Sequence, residues 1–224
     1  MKQLILNLIK EQDKLNTIIN PTWKKDRSRQ DFKRALIVES GELLEHTAFK
    51  WWKAQKVDTP QAKMEIIDLW FFYLSLVILS PTTLPHPGTD DDKLEYFASM
   101  VQENSGLSNS ESLTWDTASV HNLTVKFVNE VSNTNTKLLQ GMYALSDLTI
   151  AAGISIDELY NVYIGKLILN IFRQENGYAT GTYVKIWNGL EDNQVLTEIM
   201  EEIQDPKLIK EALENGYKIR IPTS

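Results

Sequence analysis

Cysteine is absent from this chain of 224 residues, and histidine occurs only 3 times. Disulfides and thiolate metal sites are thereby excluded, and His46, His86 and His121 have no spacing that would let them share a metal, so they read as structural. Basic residues are fewer than acidic ones, 23 against 30, and the formal net charge of −7 argues against a nucleic-acid surface, since a phosphate backbone would be repelled. Long apolar runs are missing as well. The most hydrophobic stretch, Leu69 to Leu79, is interrupted by Tyr73 and Ser75. It falls short of the roughly 18 to 20 residues needed to cross a bilayer, so it reads as a buried helix and no membrane contact is expected. The N-terminal MKQLILNLIK is broken by Asn7 and Lys10 and lacks a small-residue cleavage site, so it reads as mature sequence with a cytoplasmic location expected. Alternating strand-like runs closed by tight turns are nearly absent too.

What is present is helical periodicity. Apolar residues recur at i, i+3, i+4 spacing almost throughout, which predicts an all-α fold with helices over about 2–19, 31–54, 61–79, 90–103, 117–130, 135–152, 155–174 and 193–203. A hydrophobic content of 42% over this length suffices for a real core, and a single domain over 1–224 is expected. Pro21, Pro60 and Pro81 punctuate the first helices, PTTLPHPGTDDD reads as a Pro/Gly linker ending in Asp caps, and ENSGLSNSESLTWD reads as a Ser/Asn-rich loop.

Two carboxylate pairs stand out. Glu39 and Glu42 in IVESGELLEH, and Glu65 and Asp68 in MEIIDLWFFYLSLVIL, are each spaced i, i+3 and so share a helix face. Glu65 and Asp68 sit among Ile66, Ile67, Leu69, Trp70, Phe71 and Phe72, where a carboxylate needs compensation. With so little His and no Cys, four oxygen donors point to a hard divalent cation, Mg²⁺, rather than zinc.

Three further clusters each admit two readings. The stripe Ile5, Ile9, Gln12, Asn16, Ile19 places two amides where apolar residues belong. They either read the edge of a planar heterocycle such as a nucleobase or are solvated and capped by neighbouring backbone. The cluster AFKWWK, with Phe49, Lys50, Trp51, Trp52 and Lys53, suits stacking on a base or, as Trp usually does, packing in the core. Lys166, Asn170 and Arg173 recur at i, i+4, i+7 and are followed by Tyr178 and Lys185 in a Gly-containing loop. That set suits phosphate oxygens with a closing loop, or a solvated helix face.

Taken together, EQDKLN, ESGELLEHTAFKWWK, EIIDLWFFYLS and YIGKLILNIFRQENGYATGTYVKIWNG, in that order and at these separations, resemble the dimeric all-α deoxyuridine triphosphatases. That family is related to the MazG-like nucleotide pyrophosphohydrolases. The resemblance is weakest over about 80–155, which reads as a variable helical and loop region. It implies a helical bundle of the all-α NTP pyrophosphatase type that hydrolyses dUTP, and dUDP, with Mg²⁺, releasing dUMP and, from dUTP, pyrophosphate.

By the same resemblance Glu39, Glu42, Glu65 and Asp68 would be the Mg²⁺ ligands, with Glu39 as the base for the attacking water. Gln12 and Asn16 would read uracil, and Trp52 with Lys53 would border the nucleotide pocket. Lys166, Asn170, Arg173, Tyr178 and Lys185 would hold the sugar and phosphates, and a homodimer is implied. Two alternatives use the same residues: a sister pyrophosphohydrolase acting on dCTP or a broader range of nucleotides, and a non-catalytic helical module whose acids bind a cation.

Overall fold

The computed structural model describes residues 1–107, 113–133 and 137–220. Contacts divide the chain into two compact units, Met1–Leu159 and Tyr160–Ser224. In chain order the helices are α1 (Lys2–Ile19), α2 (Trp23–Asp26), α3 (Arg29–His46), α4 (Thr59–Leu79), α5 (Asp90–Asn104), α6 (Thr117–Ser132), α7 (Leu138–Ala151), α8 (Ile156–Glu175), α9 (Asp192–Glu202) and α10 (Pro206–Arg220). A two-stranded hairpin, β1 (Ile186–Trp187) with β2 (Leu190–Glu191), precedes α9. No described helix is long and apolar enough to cross a membrane. The fold is all-α, as its periodicity predicts.

In the first unit α4 is the central element. Asp58 caps it by accepting from the Gln61 amide, and Pro60 fills a first-turn position whose missing N–H costs nothing. Its apolar residues surround it on all sides: Ile66, Leu69, Trp70, Leu74 and Val77 are fully buried, the signature of a helix enclosed by others. Its polar atoms are met locally: Trp70 Nε1 donates to Thr149 Oγ1 on α7, and the Tyr73 hydroxyl to the Leu138 carbonyl. Gly141 makes the second contact possible, because a Cβ there would lie 2.4 Å from the Tyr73 hydroxyl. α3 packs along α4, starting from a Ser28/Asp31 capping box, and α1 packs on α4 as well.

Helix boundaries agree with the periodicity apart from the four-residue α2, which lies outside every expected helix, and three further places. α3 stops at His46 rather than running to 54, because Thr47 turns its hydroxyl back onto the Leu44 carbonyl and Ala48 adopts a left-handed φ of 57°. The Asp58 amide then bonds the His46 carbonyl at 2.8 Å and closes the loop 47–58. The hairpin falls where no strand is expected, and Asn188-Gly189 forms its turn, both residues having the positive φ that a tight two-residue turn needs. α10 lies beyond the expected helices, and Ile209 and Leu213 bury one face of it. Expectations for 108–112 of the Ser/Asn-rich loop and for 135–136 of the helix expected over 135–152 lie outside the described residues.

In the second unit Phe172, Tyr183, Trp187 and Tyr217 form an aromatic core, with Tyr183 and Tyr217 stacked at 5.3 Å and 2°. Gly177 ends α8 at φ 89°, where a Cβ would strike Thr182.

Candidate active site

Helices α3 and α4 bring three carboxylates together. Glu39 and Glu42 lie one turn apart on α3, Glu65 lies on α4, and one oxygen from each falls within 4.8 Å of the other two. Burial is graded: Glu65 is 5% exposed, Glu39 is half-buried and Glu42 is open to solvent. Asp68, one turn beyond Glu65, is half-buried. Like charges at this spacing repel, so the arrangement favours a cation between them. An all-oxygen donor set from two helices fits a hard divalent ion such as Mg²⁺.

His46, at the end of α3, has Nε2 3.7 Å from Glu65 Oε1 and so flanks the cluster, being four residues after Glu42 on the same helix face. His121 on α6 bonds Thr47 Oγ1 at 2.8 Å and fixes the start of the loop 47–58. His86 stacks on Tyr96.

The amides of α1 are linked side chain to side chain. Gln12, 2% exposed, donates from Nε2 to Asn16 Oδ1 at 2.9 Å, and Asn16 Nδ2 donates to Ser75 Oγ at 2.9 Å. The relay runs onto α4, the helix that carries Glu65, and at 1.5 Å per residue Ser75 is about 15 Å further along its axis.

The aromatic cluster is not core. Trp51 is 90% exposed and Trp52 60%, with Lys53 exposed beside them. Ending α3 at His46 puts these residues on a surface loop, where Phe49, Trp52 and Trp51 make successive edge-to-face contacts. Lys50 pairs with Glu45. A surface aromatic cluster next to the last turn of the acid-bearing helix is compatible with stacking on a planar ligand.

Within the second unit, the solvated-face reading of α8 fails for its cations. Lys166 is 1% exposed and donates to Asn193 Oδ1 at 2.8 Å. Arg173 meets the fully buried Asp192 with a fork, Nε to Oδ2 at 2.8 Å and Nη2 to Oδ1 at 2.7 Å. It donates also to Asn193 Oδ1 at 3.1 Å and, through Nη1, to Asn170 Oδ1 at 3.0 Å. The Tyr183 hydroxyl adds a donor to Asp192 Oδ2 at 2.8 Å. Burial pushes the Asp192 carboxyl up, but the Arg173 hydrogen bonds and charge, with Tyr183 and Lys166, overcome it and hold the group below its ordinary value. Burial and the neighbouring Asp192 charge push the Tyr183 hydroxyl far up. Asn170 is half-buried. Tyr178, 49% exposed, lies over the Arg173 guanidinium at 5.9 Å, and the exposed Lys185 pairs with Glu191 at 3.3 Å. Asp192, Asn193 and Tyr183 were not singled out in the sequence; the acid and amide following the Asn-Gly turn were their only signal.

Comparison with known families gives one result. Residues 4–178 match the family model described as dUTPase. The matched span includes both carboxylate pairs, the α1 amides, Lys166, Asn170, Arg173 and Tyr178, and leaves Lys185 and Asp192 beyond its end. No curated protein matches the chain.

Proposed function

The chain belongs to the dUTPase family and is a dUTP diphosphatase, and from that premise we propose how its residues divide the work. dUTPases use a divalent metal. Here the ion is Mg²⁺, held by Glu39, Glu42, Glu65 and Asp68, and the observation that carries this reading is the convergence of the first three carboxylates within 4.8 Å. Bound there, Mg²⁺ would neutralise charge on the triphosphate and on the departing pyrophosphate.

The chain's own residues do the rest. Glu39, half-buried in the cluster, orients the attacking water and takes its proton. Cleavage between the α- and β-phosphates yields dUMP and pyrophosphate, and dUDP is cleaved at the same linkage to dUMP and phosphate. Gln12 and Asn16 read uracil: their mutual hydrogen bond and the Ser75 contact fix which end of each amide is presented. Trp52 offers a face for stacking, and Lys53 a positive charge beside it. Lys166, Asn170, Arg173, Tyr178 and Lys185 serve the sugar and phosphate chain, and the functional form is a homodimer.

The test is pyrophosphate release from each deoxynucleoside triphosphate. Turnover of dUTP well above dCTP and dTTP is expected. Equal turnover of dCTP would replace the uracil assignment of Gln12 and Asn16 with a broader specificity. Size measurement in solution checks the dimer.

A further inference from the structure

Arg173 is more constrained than a phosphate-binding arginine would need to be. Of its five N–H groups, Nε and one Nη2 hydrogen go to Asp192, the other Nη2 hydrogen to Asn193, and one Nη1 hydrogen to Asn170. At most one N–H remains for a nucleotide, too few for a fork on phosphate. Release of Asp192 in exchange for a ligand is strongly disfavoured, since it would strand a fully buried carboxylate without its principal partner.

Asp192 reaches the other residues assigned to the nucleotide as well. Through Arg173 Nη1 it fixes Asn170, whose Oδ1 accepts, so that the Nδ2 hydrogens are the end offered to a ligand oxygen. Through the guanidinium plane it sets the surface on which the Tyr178 ring rests. Its own backbone N–H donates to the Lys185 carbonyl at 3.0 Å, which ties down the segment carrying that lysine. Tyr183 holds the carboxylate from a further side. Lys166 and Arg173 against Asp192 leave the cluster with net positive charge, so the carboxylate orders these donors without cancelling their attraction for phosphate.

We propose that Asp192 is a positioning residue for nucleotide binding: it locks Arg173, and through it orients Asn170 and Tyr178 toward the sugar and phosphate chain. This rests on the assignment of Lys166, Asn170, Arg173, Tyr178 and Lys185 to that chain. Arg173 then acts by charge and orientation, with Asp192 as its permanent partner.

The test is steady-state kinetics with dUTP and saturating Mg²⁺ on Asp192→Asn, Arg173→Lys and the double variant, each checked by its melting curve to be folded at the assay temperature. Asp192→Asn should raise KM about tenfold with a much smaller change in kcat, because only charge and one acceptor are altered. The double variant should be within about twofold of the poorer single one, because the two residues act as a unit. An unchanged KM in Asp192→Asn beside an impaired Arg173→Lys, or effects that multiply in the double variant, would overturn the role of Asp192 alone. Wild-type KM in Arg173→Lys would instead remove the nucleotide from this end of α8, and the proposal with it. If Asp192→Asn does not fold, Tyr183→Phe removes only the hydroxyl donor and should raise KM about twofold to threefold at constant kcat. An unchanged KM there overturns the proposal.

Discussion

The two units handle charge in opposite ways. In the first, α3 and α4 gather Glu39, Glu42 and Glu65, three groups of one sign, into a space of a few ångströms. In the second, Lys166 and Arg173 are set against Asp192, with Asn193, Asn170 and Tyr183 supplying the remaining hydrogen bonds. Repulsion in the first arrangement is relieved by an added cation, whereas in the second the buried carboxylate is matched by the chain's own cations. The same residue types therefore carry different expectations: neutralising an acid in the first unit should spare or help the fold, and neutralising one in the second should weaken it.

Glu65→Gln tests that contrast with the largest effect. It keeps volume but removes ligand charge, so turnover should fall by about two orders of magnitude or more. The melting temperature of the metal-free protein should hold or rise as repulsion is relieved. Normal turnover with a marked loss of melting temperature would make Glu65 a structural acid and end the contrast.

Arg173→Lys comes next. Charge is kept, but the planar fork onto Asp192 is lost, so kcat/KM should drop about tenfold and the melting temperature should fall with it. A drop in kcat/KM at constant melting temperature would mean that Arg173 meets the nucleotide itself.

A smaller effect is expected at the α1 amides. Gln12→Leu removes the donor to Asn16, so KM for dUTP should rise and the preference for dUTP over dCTP should narrow by about tenfold. An unchanged preference would move uracil reading elsewhere in the chain.

Smallest is the pH dependence of stability. The Asp192 carboxyl is held below its ordinary value in the folded chain, so its stabilisation is present above the unfolded-state pKa of about 3.9 and is lost as pH falls through the lower folded value. Asp192→Asn should flatten that acid limb in denaturation measured across pH. An identical limb in both proteins would assign the acid sensitivity to other carboxylates.

Legibility in the sequence followed the same division. The carboxylate pairs could be read because i, i+3 spacing puts each on one face, and the apolar surroundings of Glu65 foretold its burial. Spacing put His46 on the face of Glu39 and Glu42, but that it would meet Glu65 depends on how α3 packs on α4. Phe49, Trp51 and Trp52 misled in the same place: their hydrophobicity extended the helix on paper, while Thr47 and the left-handed Ala48 ended it and left the tryptophans on the surface. In the second unit Lys166 and Arg173 were visible as a stripe, but their burial was not, because their partners Asp192 and Asn193 arrive only after a hairpin that was missed. Local periodicity reports one helix at a time; pairing between elements distant in sequence lies outside it.

The measurement that bears most directly on the acidic centre is pyrophosphate release from dUTP as Mg²⁺ is titrated into metal-free protein, for the wild type and Glu65→Gln side by side. The expected result is wild-type turnover that rises from near zero to a plateau with added Mg²⁺ and is reversed by chelation, with Glu65→Gln low throughout. Mg²⁺-independent turnover in the wild type, or a Glu65→Gln titration that overlays it, would contradict the assignment of these carboxylates to the metal.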